Sequence, residues 1–229
     1  MLTRIMFMSN KAKLLTAGCG ITFSGERPTW TKVLKVAGYD ITDVSGPAIS
    51  NQLITNQLLE KIYQEDFDHV ICQLTSFGKL DVEMNSKNKW LMEKDSLRNF
   101  TYKGYWPSSH SDEDPVKKTY QDYLYSPTLE QQDLIFKLLL LQEKCKQAGT
   151  KLHIIQGYDI EWHNKLTDSL DFDKSFNIYD MYKNSKFYDE HDYTNYNTVP
   201  NQKFQVHLAK HIAKKYIGEY KSTLDKFNE

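Results

Sequence analysis

The chain has almost no net charge: 29 Lys and Arg against 30 Asp and Glu leave a formal value of −1. A protein that holds nucleic acid or an anionic membrane through bulk charge carries a basic excess, so neither partner is expected. Cysteine is equally scarce, with Cys19, Cys72 and Cys145 odd in number and far apart. They outline no disulfide framework, and Cys72 falls in a predicted buried strand, where a free cysteine acts as a small hydrophobe. A reducing, cytoplasmic compartment is the expectation. Long apolar runs are missing too. The longest, LIFKLLLLQ, is interrupted by Lys137 and falls short of the roughly eighteen residues that cross a bilayer. The opening stretch MLTRIMFMSNKAK has a short apolar run broken by Arg4 and no small-residue cleavage site, so no signal peptide is expected.

Cofactor and metal signatures are absent as well. The turn after the first predicted strand holds no Gly-x-Gly-x-x-Gly or Walker pattern, the loops that cradle phosphates. His207 and His211 stand four apart on one predicted helix, a spacing that can ligate a metal, but no Glu lies between them and no third ligand is evident. They read as packed or solvated helix histidines. Asp171, Asp173, Asp189, Glu190 and Asp192 make an acidic late segment without the alternating ligands and glycine turn of a calcium loop. It reads as solvated. No cofactor and no metal are expected.

What is present is an alternation of short apolar runs with longer helical patterns, the mark of βαβ units around a parallel sheet. A first strand at 14–17 ends in Gly18-Cys19-Gly20. Pro28 suits a first helical turn, and a helix follows from Trp30, stopped by Gly38. A second strand at 39–44 meets the turn Ser45-Gly46-Pro47, and the helix after it carries Ile49, Leu53, Ile54, Leu58, Leu59 and Ile62 on one face. The third strand, 69–74, is a continuous run of the kind that has both sheet faces covered. A helix from Ser126-Pro127 to about 147 stops at Gly149, a fourth strand spans 151–156, and Pro200 opens the last helix. The stretch 160–198 is poorly patterned. With 229 residues and no linker or repeat, one domain is expected over 1–229.

Between strand and helix lies a polar, aromatic insertion at about 78–126 that includes Trp90, Phe100, Trp106 and several tyrosines. Irregular segments of this length are usually lids or partly helical insertions with a function. The chain's fifteen tyrosines would suit a stacking surface for sugars or a partner protein, with Trp90 and Trp106 as binding residues. They equally suit an A/T-biased coding sequence. That bias and the compact size would fit a phage source, and a place in the virion in that case.

Ligands of an open parallel sheet bind outside the carboxyl ends of its strands. Three such ends stand out: Gly18–Ser24, Ser45–Asn51 and Gln73–Lys79. In this order and spacing they resemble the blocks of the SGNH (GDSL-like) hydrolases. Gly18-Cys19-Gly20-Ile21-Thr22-Phe23-Ser24-Gly25 is similar to that family's Gly-Cys-Ser-x-Thr-x-Gly form, and Gly46 with Ser50-Asn51 to its second block. Gln73-Leu74-Thr75-Ser76 stands at the third without the usual asparagine. The resemblance implies a flavodoxin-like, three-layer α/β/α sandwich with a central parallel sheet. It also implies oxyanion-hole donors at Gly46, Thr75 or Ser76, a binding role for Asn51, and an acyl-ester or O-acetyl-glycan ligand.

The departures from the family are chemical. Its nucleophilic serine is replaced by Gly20, which has no side chain to attack with. Cys19 and Ser24 are the neighbouring alternatives, although Cys19 points toward the core and Ser24 suits a helix cap. One alignment of the late block takes Asp189-Glu190-His191 as Asp-x-His, a carboxylate orienting an imidazole. The other aligns Val199-Pro200-Asn201 with the family's His-Pro-Asn, which leaves Asn197 and Val199 where Asp and His should stand. The first expectation is therefore a catalytically impaired binding or assembly module, with the aromatic insertion meeting a partner. The alternative is an active esterase or deacetylase using Ser24, or a serine of the insertion, with Asp189 and His191. A merely architectural likeness to flavodoxin-like folds is the third reading.

Overall fold

The computed structural model describes residues 12–22, 28–46, 49–77, 80–83, 102–105, 123–158, 160–163, 165–189, 200–218 and 220–227. Strands β1 (Lys13–Ala17), β2 (Asp40–Asp43) and β3 (His69–Leu74) lie in one sheet with the last strand, Lys151–Gln156. Between β3 and that strand come β4 (Leu80–Glu83) and β5 (Tyr102–Tyr105), so the last strand is β6. All pairings in the main sheet are parallel, in the order β2-β1-β3-β6. The chain leaves β1 toward β2 on one side and returns to β3 on the other. That reversal makes the carboxyl ends of β1 and β3 the topological switch point, where open α/β sheets form their crevice.

Helices cover both faces, which explains why β3 reads as an unbroken buried run. On one face α1 (Trp30–Val36) and the final helix Gln202–Ile212 pack over Leu14, Ile71 and Ile155. On the other, α2 (Asn51–Gln64) and α3 (Pro127–Ala148) pack over Leu15, Val70, Cys72 and Ile154. Neighbouring residues of β1 thus feed opposite cores, as the two-residue period of a strand requires. A short α4 (Ile178–Lys183) precedes the final helix, α5. The molecule is the flavodoxin-like α/β/α sandwich expected from the sequence.

Local chemistry sets the helix boundaries. Ser50 accepts from the N–H groups of Gln52 and Leu53 to start α2, and Ser126 accepts from Leu129 to start α3, with Pro127 in the first turn. Gly149 ends α3 at φ 71°, in the left-handed region. Pro28 lies just outside α1, because Thr29 is the N-cap, and Pro200 likewise precedes the Asn201 cap of α5. Two elements lay beyond the sequence reading. The 78–126 insertion contains an antiparallel ribbon, with Leu80 opposite Tyr105 and Glu83 opposite Tyr102. Within the poorly patterned 160–198 stretch, Asn177 caps α4 by accepting from the Asp180 N–H at 2.7 Å.

Candidate functional site

The turn that follows β1 is built around a buried glutamine. Gln73, fully enclosed on β3, uses Oε1 to accept from the Cys19 N–H at 3.2 Å and from the Thr22 hydroxyl at 2.9 Å. Its Nε2 donates to the Leu74 carbonyl. Two glycines make room for it. A Cβ on Gly18 would stand 2.5 Å from Gln73 Oε1, and one on Gly157 would collide with Nε2. The turn closes on itself as Thr22 N–H donates to Cys19 O at 2.8 Å. Trp30 Nε1 then donates to Thr22 Oγ1 at 3.2 Å, and Gln205 of α5 accepts from the Trp30 N–H at 2.9 Å. A buried amide left unpaired costs about 1–3 kcal/mol, so each of these polar groups fixes its neighbour.

Gly20 lies in this turn and is half-buried. Cys19 is fully buried, and its thiol donates to Thr75 Oγ1 at 3.0 Å. Thr75 is itself enclosed at the end of β3. Its N–H donates to Asn51 Oδ1 at 2.7 Å, while Asn51 Nδ2 donates to the Thr75 carbonyl at 2.9 Å. The Gly46 N–H donates to Gly18 O at 3.1 Å. Gly20, Gly46, Asn51, Thr75 and the half-buried Ser76 therefore meet at the carboxyl edge of β1 and β3, as the switch point requires.

Three of the donors at that meeting are already engaged inside the protein. An oxyanion hole needs N–H groups aimed at empty space where charge will develop. Here the N–H groups of Cys19, Gly46 and Thr75 all point at acceptors inside the protein. Asn51 is fully buried and holds the Thr75 backbone with both amide atoms. Sequence reasoning placed Gln73 at the head of the third block but gave it no role, and the structure makes it the residue that organises the turn. Gln73 sits within an apolar run, and only its two glycine neighbours in space give it away.

The late block is divided. Asp189 is exposed, and its N–H donates to the Tyr182 hydroxyl at 3.1 Å. Ser24, Trp90, Trp106, Glu190, His191, Asn197 and Val199 lie outside the described residues. His207 packs against Phe187 and Phe204, with ring centroids 5.4 and 6.2 Å away. His211 lies over Phe176 at 5.3 Å. Burial and the nearby Lys215 lower the pKa of His211, in keeping with a packed histidine. Asp173 is held by Ser175 and pairs with Lys215 at 3.5 Å. Ser175 and Lys215 lower its pKa. Among the described residues no group of three or more His, Cys, Asp or Glu could hold a metal ion, and no helix is long and apolar enough to cross a membrane.

No family model matches the chain, and no curated protein does. Among solved structures it is similar to the crystal structure of TesA, with 12% identity over 88% of this chain and 96% of that one, at a TM-score of 0.44. A likeness this distant carries no argument about activity. The local geometry has to carry it instead.

Beyond β6 a second set of glutamines builds the neighbouring rim. Gln131 donates to Glu161 O at 2.8 Å and accepts from the His163 N–H at 3.1 Å. Gln156 accepts from Trp162 Nε1 at 2.8 Å. The indole so held meets Phe77 and Phe172 edge to face, each with centroids 5.8 Å from it, the arrangement aromatic quadrupoles favour.

Proposed function

We propose that this protein is a divergent member of the SGNH-like group that has lost hydrolysis and works as a binding or assembly module. One observation carries the reading. At the position of the nucleophile stands Gly20, and the N–H groups of Cys19, Gly46 and Thr75 beside it are committed to Gln73, Gly18 and Asn51. A serine hydrolase needs an attacking oxygen and uncommitted donors for the oxyanion, and removing either class of group costs orders of magnitude in rate. The ligand class implied by the resemblance is a small acyl ester or O-acetyl glycan, bound without turnover, with the aromatic 78–126 insertion facing a partner.

The test is turnover of p-nitrophenyl acetate by the purified protein beside Gly20→Ser, Ser24→Ala and His191→Ala. The parent is expected to be silent. A gain in Gly20→Ser would mean that the base persists and only the nucleophile was lost. Silence in that variant as well would mean that both were lost. Parent turnover abolished by Ser24→Ala and by His191→Ala would overturn the proposal and make the protein an esterase with rearranged residues.

A further inference from the structure

At the opposite edge of the sheet, two histidines from adjacent strands face each other. His69 opens β3 and His153 lies two positions into β6, in parallel register with Ile71. His69 Nδ1 and His153 Nε2 are 3.1 Å apart, with ring centroids at 5.4 Å and planes 17° from parallel. The centroid distance exceeds the nitrogen distance by about one ring width, so the rings meet edge to edge, nearly in one plane. That is the geometry of an in-line N–H···N hydrogen bond. His69 is buried, and His153 is half-buried against the ring edge of Tyr216, 5.5 Å away.

Proton counting decides what such a pair can do. With both rings neutral, one donates its shared-edge N–H and the other accepts. A first added proton goes to the outer nitrogen of the donor ring, and the bond survives as a charge-assisted one. A second has only the accepting nitrogen left. Two N–H groups would then point at each other and two positive charges would touch. We propose that His69 and His153 form an acid-sensitive latch between β3 and β6, closed while the pair holds at most one extra proton and broken by the second.

Among the described residues, the neighbouring cations add to that second charge and the neighbouring carboxylates are already engaged or solvent-screened. Lys151 faces His69 across the strand pair, and Lys215 lies over the Tyr216 ring at 5.2 Å. His211 is the next ring beyond Tyr216. On the anionic side, Asp68 accepts from the Lys13 N–H at 2.7 Å, and Glu65 pairs with the Lys13 ammonium at 2.9 Å. Asp173 is tied to Ser175 and Lys215. Asp40 and Asp66 are exposed at the rim of a cavity of about 680 Å³, where water and salt screen them. His69 also lines that cavity. Burial, with His69 and Lys151 beside it, lowers the pKa of His153 to about 4.

The folded chain thus holds this proton more weakly than the unfolded chain, whose histidines titrate near pH 6.5. Stability is present in full above that pH and falls as pH drops toward 4. One withheld proton makes the folding constant fall about tenfold per pH unit across this window.

The deciding experiment is denaturant unfolding at pH 7.5, 6 and 5 of the parent, His69→Gln, His153→Gln and the double variant. Each single substitution should remove the same share of the acid loss, and the double no more than one of them, because the pair shares one bond. Parent-like pH dependence in both singles, or additive effects, would overturn the latch. Long-range proton–nitrogen NMR of the parent gives a second readout that needs no variant to fold. One of the two imidazoles should stay neutral at pH 5, and both titrating near 6.5 would overturn the proposal.

Discussion

Asn51 closes both atoms of its amide on the backbone of Thr75, accepting from the N–H at 2.7 Å and donating to the carbonyl at 2.9 Å. The first residue of α2 therefore fixes where β3 ends. Because Thr75 also accepts from the Cys19 thiol, the clamp joins the ends of β1, β3 and α2 in one polar knot without solvent.

Replacing Asn51 by Leu keeps the volume and removes both hydrogen bonds. Two buried backbone groups would lose their partners, at about 1–3 kcal/mol each, so a loss of about 2–6 kcal/mol is expected. Urea unfolding reads it directly. A loss below about 0.5 kcal/mol, the size typical of an ordinary surface substitution, would mean that Thr75 finds other partners.

Two glycines should fail on substitution for different reasons. Gly18→Ala places a methyl group 2.5 Å from Gln73 Oε1, an overpacking cost of about 1–3 kcal/mol. Gly149→Ala meets no atom within 4 Å but must keep φ 71°, a cost of roughly 1–2 kcal/mol from the left-handed backbone alone. A Gln73→Ala background tests the distinction. It should relieve part of the Gly18 penalty, with a coupling of about 1 kcal/mol, and leave the Gly149 penalty unchanged. Equal behaviour of the two glycines in that background would contradict the steric account.

All three cysteines are buried in the native fold. Burial raises the pKa of Cys145 to about 11 and that of Cys72 further still, so neither offers a thiolate or an approach path near neutrality. Ellman's reagent at pH 8 should find no reactive thiol in the native protein and three after denaturation in guanidinium. Rapid labelling of one native thiol would show that its cover opens without global unfolding.

Much of the frame was legible because it rests on local rules. Strands 69–74 and 151–156 read as apolar runs of strand length and are found at those bounds. Ser126 announces its helix by capping chemistry, and Gly38 and Gly149 stop theirs through positive φ, whereas α2 starts only at Asn51 after the Ser50 cap and leaves Ile49, read from the sequence as part of its apolar face, outside the helix. The site was legible only in outline. Nothing local separates Gln73, Gln131, Gln156 and Gln205 from solvated glutamines, since apart from the Gln73–Leu74 bond their partners are 6 to 184 residues away. The His69–His153 pair was hidden for the same reason, being 84 residues apart in sequence and neighbours only through the β3–β6 register. Pro28 and Pro200 misled by two positions, each standing just before the N-cap rather than in the first helical turn.

The main sheet ends at β2, a strand of four residues with exposed Asp40 and Asp43 at its two ends. An edge strand presents unpaired backbone groups that invite another chain to add on. Here a foreign strand would have to desolvate two carboxylates to zip along the whole edge, and Asp43 already accepts from Thr31 and from the Ser45 N–H. The shortness and charge of β2 thus guard against edge-to-edge aggregation.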